Sequence, residues 1–477
     1  MCGILGICGQ EDVAGELLQG LTAIQHRGQD AAGVVTLDKL FSLRKGLGLL
    51  SHVFGDVTPA DLPGRCGLGH VRYATIGSND VLDAQPIVAN YPFGMAMVHN
   101  GNVVNFTELR RTLYDEHHRL LETSNDVALI LYTFASELET KNLKALTPDD
   151  IFDAVTATQH HVLGAYSAIC IIANVGFLAF SDPFGIRPIV MGRKYTAHGI
   201  EYVYASESVC LDFLGCERVC DLAPGEAIFI DTQQRIHRRI CRQEQQAFCV
   251  FEYIYFARED SIIHDRLVAH ERLALGRRLA ARCRARGLQP DIVIDVPSSS
   301  YFFAAGLSEA LGVPYRRGLA KNNHIGRSFL APTQETRELL VRQKLNPIAG
   351  VVAGAKVAVV DDSIVRGTTS KYLVTLLRQA GAAEVYFLSA APPIRFPCVY
   401  GIDMSVRREI IAAHCSLDQI HEYLAADAVL FQELDDLKDL YKDLPCCFAC
   451  FTGVYPTGVS AELLAQIEQE RVCSMRL

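Results

Sequence analysis

Cys2 stands directly after the first methionine. With Met1 removed, this one residue would carry a thiol nucleophile and an α-amine. Such an amine titrates near neutral pH and serves as the base for the thiol beside it. The pair attacks carbonyl carbon without a separate histidine. Four later segments supply what hydrolysis of a side-chain amide needs: Gln25-His26-Arg27-Gly28-Gln29-Asp30, His70-Val71-Arg72-Tyr73-Ala74-Thr75, His99-Asn100-Gly101 and Ser124-Asn125-Asp126. Arg72 would hold an α-carboxylate by charge-assisted bonds. Asp126 would hold the α-ammonium. The Asn100 side chain and the Gly101 N–H would stabilise the oxyanion formed when Cys2 attacks. Glutamine is the amide that fits. Taken alone, each piece has a plainer reading: Asn100-Gly101 is a hairpin-turn dipeptide, and Arg27 a surface or salt-bridged residue. Their joint occurrence with Cys2 carries the argument.

A second constellation lies far downstream. Val357–Val360 reads as a buried strand, followed by Asp361-Asp362-Ser363-Ile364-Val365-Arg366-Gly367-Thr368-Thr369. Two adjacent carboxylates at the C-terminal end of a strand suit the cis-diol of a ribose and its metal. Hydroxyls and backbone N–H groups at the start of the next helix suit a phosphate. Gly367 allows close backbone approach. Ligands of open α/β sheets bind at this end of the strands.

The cysteines form a third theme. The chain has 16, including a CxxC at Cys447-Phe448-Ala449-Cys450 with Cys446 beside it. Alone, that motif fits a redox pair, a metal pair or coincidence.

The elements that must position these residues change character along the chain. Up to about residue 240, short β-like runs dominate: Gly33–Leu37, Cys66–Arg72, Gly94–His99, Ser167–Ala173, Tyr202–Ala205 and Ala227–Asp231. Helical patterns sit apart from them, at Val13–Gln25, Phe106–Glu116 and Asp126–Leu138. This predicts antiparallel sheets. From about Pro290, strand, loop and helix alternate: Asp291–Val296, a helix ending at Gly312, Lys356–Val360, a helix over 368–380, then Glu384–Ala390. This predicts a doubly wound parallel sheet. The expected division is residues 2–240 and 241–477.

The first part resembles the N-terminal-nucleophile glutaminase domain of class II glutamine amidotransferases. The resemblance implies an α+β, four-layer αββα sandwich. It implies that Cys2, Asn100 and Gly101 are catalytic and that Arg72, Thr75 and Asp126 bind glutamine. Arg27, in the QHRGQ motif beside the nucleophile, is grouped with them. The second part resembles type I phosphoribosyltransferases, with an α/β fold and a phosphoribosyl diphosphate (PRPP) site. That site would use Ser299, Ser300, Lys321, Asp361, Asp362, Ser363, Arg366, Gly367, Thr368 and Thr369, with Ser299, Asp361 and Asp362 near Mg2+. Lys321–Phe329 resembles the start of that family's flexible catalytic loop.

The pairing resembles the glutamine PRPP amidotransferase family along nearly the whole chain, including Phe251–Arg258, Val341–Pro347, Ile394–Pro397 and Tyr400–Met404. It implies glutamine hydrolysis, with ammonia carried to PRPP to give phosphoribosylamine, the committed step of purine synthesis. One branch of the family binds a [4Fe–4S] cluster, and its ligand positions match Cys249, Cys398, Cys447 and Cys450. Tetrahedral Zn2+ and simple buried thiols fit the same set. Purine nucleotide inhibitors and a tetramer are implied by resemblance alone. The chain departs from the family at Ser298, Glu259 and Ser405-Val406. The DDSIVRGTT loop argues against other class II amidotransferases. The intact Cys2, Arg72, Asn100 and Asp126 argue against a paralogue kept only as a sensor.

Composition bounds these readings. The chain has 477 residues, 49% of them hydrophobic, and a net charge of −9. The acidic balance argues against a nucleic-acid binder. No run reaches the ~20 apolar residues of a membrane span. Without a signal-like start, a reducing cytoplasmic compartment is expected, and no disulfide framework.

Overall fold

The computed structural model describes residues 1–73, 80–322, 345–402, 404 and 406–474, with side chains as far as residue 470. The first half holds two antiparallel sheets. One has seven strands, in the spatial order Glu217–Asp221, Val190–Thr196, Gly199–Ala205, Gly3–Cys8, Cys66–Arg72, Ala31–Leu37 and Phe41–Leu47. The other has six: Ile236–Ile240, Glu226–Asp231, Gly176–Ser181, Gly164–Ile172, Met95–Val103 and Ile87–Ala89.

Three apolar layers hold this half together. Ile4, Val35 and Leu68 of the first sheet meet Val98, Ile169 and Phe177 of the second between the sheets. Helix Ala14–Ala23 covers the outside of the first sheet, with Leu17 and Leu21 on Val34 and Val71. Helices Val127–Glu139 and Pro148–His161 cover the second, with Phe134 and Val155 near Phe180. This is the expected αββα sandwich. Strands such as Gly164–Ile172 are buried along their whole length because both faces are covered. The long apolar run over residues 165–180 breaks at Asn174, whose φ of 60° makes the turn between two strands.

The second half is built on a four-stranded parallel sheet, in the order Ile292–Asp295, Lys356–Asp361, Glu384–Ser389 and Ala428–Phe431. Alternation along Lys356–Asp361 sends Val357 and Val359 to one core and Ala358 and Val360 to the other. Helices Val268–Ala285 and Tyr301–Leu311 pack on the second of these faces, and Thr368–Gln379 and Leu417–Leu424 on the first.

Strand Ile236–Ile240 is the last of the six-stranded sheet. The core beyond it is shared, because Met1, Val104, Ala165 and Ile186 pack with Phe248, Val250 and Tyr400. Cys8 lies directly opposite Cys66 in adjacent strands, with Cα atoms 4.2 Å apart and their sulfurs adjoining. Register brings their side chains to the same face, which the sequence separation of 58 residues concealed. The other described cysteines pair with no second cysteine among the described residues. Among the described residues, no helix is long and apolar enough to cross a membrane.

Candidate active sites

Cys2 immediately precedes the central strand of the first sheet and is held from three sides. Its N–H donates to Asn100 Oδ1 at 3.1 Å, and its carbonyl accepts from Arg27 Nε at 3.0 Å. Its Sγ lies 3.7 Å from the carbonyl oxygen of Tyr73. Asn100 is fully buried, and its Nδ2 has no partner among the described residues. An unpaired buried donor is costly in a resting protein. Beside a nucleophile it suits a developing oxyanion.

Asn100 and Gly101 do not form a turn. They lie within strand Met95–Val103, opposite Ser167 and Tyr166. Gly101 has a φ of 151°, and a Cβ there would sit 1.8 Å from the carbonyl oxygen of Ala165. Only glycine fits. A Cβ on Gly401, from the second half, would in turn lie 2.9 Å from the Gly101 carbonyl oxygen.

Asp126 leads into helix Val127–Glu139. Its Oδ2 accepts from the Val103 N–H at 3.0 Å, and its Oδ1 lies 3.2 Å from His99 Nε2. Burial opposes its charge, but His99 and the Val103 N–H outweigh this and hold its carboxyl below the ordinary range. Arg72 ends strand Cys66–Arg72, buried, next to the residue whose carbonyl faces Sγ. Thr75 lies outside the described residues.

Arg27, expected among the glutamine-binding residues, is placed against Cys2. Its guanidinium is closed to solvent and its nitrogens are taken: Nε by Cys2, one terminal nitrogen by Glu207 at 2.5 Å, and both by Glu252 at 3.0 and 2.9 Å. Arg27 positions the nucleophile. Glu207 also accepts from the Arg258 N–H and the Ser261 hydroxyl. Burial opposes its charge, yet His26 and Arg27 hold it well below the ordinary carboxylate range. Glu207 and Glu252 were not foreseen as partners of Arg27. For Glu252 a signal existed: a lone acid inside the aromatic run Phe251–Phe256.

In the second half, Asp361 and Asp362 end their strand, both buried. Ser299 and Ser363 hydroxyls donate to Asp362 at 2.6 and 2.7 Å, and the Ser300 hydroxyl to Asp361 at 3.4 Å. Burial pushes both carboxyls up, and the charge of Asp362 pushes Asp361 further; the two serines pull Asp362 part of the way back. Two such acids demand a cation or a donor-rich ligand. Lys321 Nζ donates to the Ser298 hydroxyl at 3.2 Å. Arg366 pairs with Glu409. Gly367 precedes helix Thr368–Gln379, which Thr368 and Thr369 open. Residues 323–329 of the expected loop, and 341–344 of the matched run, lie outside the described residues. Asp295, which accepts from the Tyr315 hydroxyl at 2.9 Å, and Arg272 join this region unforeseen.

The four cysteines lie in one region of the core. Cys249 stands beside Cys447 in a short parallel strand pair. The carbonyl of Cys450 accepts from the Arg395 and Phe396 N–H groups, just before Cys398. All four are buried. Burial pushes the Cys249 thiol up to about 11, and Cys398 adds to this. Cys447 and Cys450 are raised well above ordinary by burial and by their neighbouring thiols. Cys446 alternates to the other strand face, and its thiol donates to the Leu444 carbonyl. Among the described residues, no group of three or more His, Cys, Asp or Glu side chains is placed to hold a metal ion.

Comparison with known proteins adds three findings. A glutamine amidotransferase domain family matches residues 70–212, and a phosphoribosyl transferase domain family matches residues 265–391. Over 485 residues the chain is 43% identical to the amidophosphoribosyltransferase of Pasteurella multocida, covering 99% of this chain and 96% of that one. For the Saccharomyces cerevisiae amidophosphoribosyltransferase the identity is 38%, with 99% and 95% covered. The solved glutamine PRPP amidotransferase of B. subtilis, complexed with ADP and GMP, superposes with a TM-score of 0.85 at 35% identity, covering 97% of this chain and 98% of that one.

Proposed function

Since the chain belongs to the amidophosphoribosyltransferase family, we propose that the residues assembled above divide its reaction between two sites. The enzyme makes phosphoribosylamine, glutamate and pyrophosphate from glutamine and PRPP. At the first site Arg72 takes the glutamine α-carboxylate and Asp126 the α-ammonium. The Cys2 thiol attacks the side-chain amide carbon, its proton passing to the Cys2 amine once Met1 is gone. Asn100 Nδ2 and the Gly101 N–H receive the oxyanion. Collapse releases ammonia and leaves a γ-glutamyl thioester, which water then hydrolyses. The observation that carries this reading is the hold on Cys2, with one unpaired donor, Asn100 Nδ2, beside it.

At the second site Asp361 and Asp362 hold the ribose hydroxyls. Ser363 and the start of helix Thr368–Gln379 hold the 5-phosphate. Ser299, Ser300 and Lys321 face the diphosphate. Ammonia displaces that diphosphate at C1. Ser299, Asp361 and Asp362 would hold Mg2+, which would supply positive charge to the leaving diphosphate; the raised carboxyls and converging hydroxyls suit it.

The buried thiols of Cys249, Cys398, Cys447 and Cys450 suit a [4Fe–4S] cluster, which would tie the C-terminal segment to the middle of the chain. Purine nucleotides are proposed as effectors and a homotetramer as the assembly.

The test is direct. Wild-type protein should release pyrophosphate from PRPP with either glutamine or ammonia. Cys2→Ala should lose only the glutamine reaction. Loss of both would refute the division of labour.

A further inference from the structure

Gln85 and His99 are both buried, and neither has a part in the reaction as assigned so far. Their hydrogen bonds determine where the imidazole proton sits. The His99 backbone N–H donates to Gln85 Oε1 at 2.7 Å, so the other amide atom, Nε2, is the NH2 group. That NH2 faces His99 Nδ1 at 2.8 Å and Asn125 Oδ1 at 3.3 Å. Asn125 confirms the direction, because its Oδ1 also accepts from the Val127 N–H while its Nδ2 donates to the Asp83 carbonyl. Nδ1 of His99 must therefore accept, and the neutral ring carries its proton on Nε2. Nε2 lies 3.2 Å from Asp126 Oδ1, close enough for charge but not aligned as a hydrogen bond. An N–H there attracts the carboxylate; a lone pair would repel it.

We propose that Gln85 is a positioning residue for glutamine hydrolysis: it locks His99 as the neutral Nε2–H form, so that Asp126 keeps its full negative charge for the substrate ammonium. This rests on the role proposed for Asp126. Protonating Nδ1 would require the Gln85 amide to turn, which would set its NH2 against the His99 backbone N–H. The other ionisable groups near the ring do not replace Gln85. His70, on strand Cys66–Arg72, is held neutral by burial and by the nearby Arg72. Asp83 is engaged by Thr123 and Ser124. A doubly protonated His99 would neutralise Asp126 and weaken the grip on glutamine.

Gln85→Leu removes the lock while keeping the bulk. Its KM for glutamine should rise about tenfold more than the parent's as pH falls from about 8 to about 6, the range in which imidazole takes a second proton. Its kcat with saturating glutamine and its ammonia-dependent activity should stay within about twofold of the parent's. Gln85→Glu, which favours the doubly protonated ring, should raise the KM already at neutral pH. Imidazole 15N shifts of histidine-labelled parent enzyme should show a pyrrole-like Nε2 and a pyridine-like Nδ1 for His99. A proton on Nδ1 in the parent, or matching KM profiles for parent and both variants, overturns the proposal. Asp126→Asn separates the premise: an unchanged KM for glutamine would remove the role of Asp126 while the 15N assignment stood.

Discussion

Arg27 and Glu252 meet through two parallel N–H···O contacts of 3.0 and 2.9 Å, with neither side chain open to solvent. The same guanidinium holds the Cys2 carbonyl. A residue of the second half thus sets the position of a nucleophile at the start of the first. Removing one member of a buried pair leaves the other charge uncompensated, at a cost of about 3 kcal/mol or more.

Glu252→Gln should therefore lower stability by about 2–4 kcal/mol, less than a lone pair would lose because Glu207 still faces Arg27. Denaturant titration measures this. Glutamine-dependent turnover should fall further than ammonia-dependent turnover, since only the former needs Cys2 in place. Equal losses would indicate general loosening.

Gly101→Ala should reduce the glutamine reaction about a hundredfold, because a Cβ 1.8 Å from a carbonyl oxygen forces the oxyanion strand to move by an ångström or so. Ammonia-dependent synthesis, measured in the same preparation, should persist.

Asp361→Asn should give a protein that is more stable but inactive. Both Asp361 and Asp362 sit above the ordinary carboxyl range when folded, so the folded chain keeps protons that the unfolded chain has released. The stability this represents is present in acid and is lost as pH rises above about 4. The thermal midpoint of the variant should exceed the parent's by a few degrees near neutral pH and match it near pH 4. Mg2+ with PRPP should raise the parent's midpoint and not the variant's. PRPP-dependent activity should fall by at least about a hundredfold.

Cys447→Ser should lose iron and acid-labile sulfide on anaerobic purification, and Cys446→Ser should keep both. The two neighbours point to opposite faces of a two-residue strand, and only Cys447 stands level with Cys249. The reverse result would reassign the ligand.

The legible parts of this protein were local ones. Asp361 to Thr369 is a single strand-to-helix turn whose chemistry lies in consecutive residues, and the structure keeps it together. Cys2, Asn100 and Asp126 could be singled out because their side-chain chemistry is distinctive. What escaped was pairing over distance. Arg27 was visible as a cation, but its partners lie 180 and 225 residues away. Asn100-Gly101, singled out for its chemistry, would, taken alone, have meant a turn, because a strand glycine that lets another backbone approach has the same letters. Cys8 and Cys66 face each other only through a register that no local pattern encodes.

The contact between Gly101 and Gly401 bears on modularity. Here the two backbones approach closely, and the Asn102 and Arg187 side chains cross beside them to donate to the Val399 and Tyr400 carbonyls. Met1, Val104, Ala165 and Ile186 add apolar surface that only the second half covers. A fragment ending near residue 240 would carry a buried arginine lacking Glu252 and an uncovered apolar face. The glutaminase half is therefore no transplantable cassette: grafted onto another synthase, it would need this seam rebuilt along with its active site.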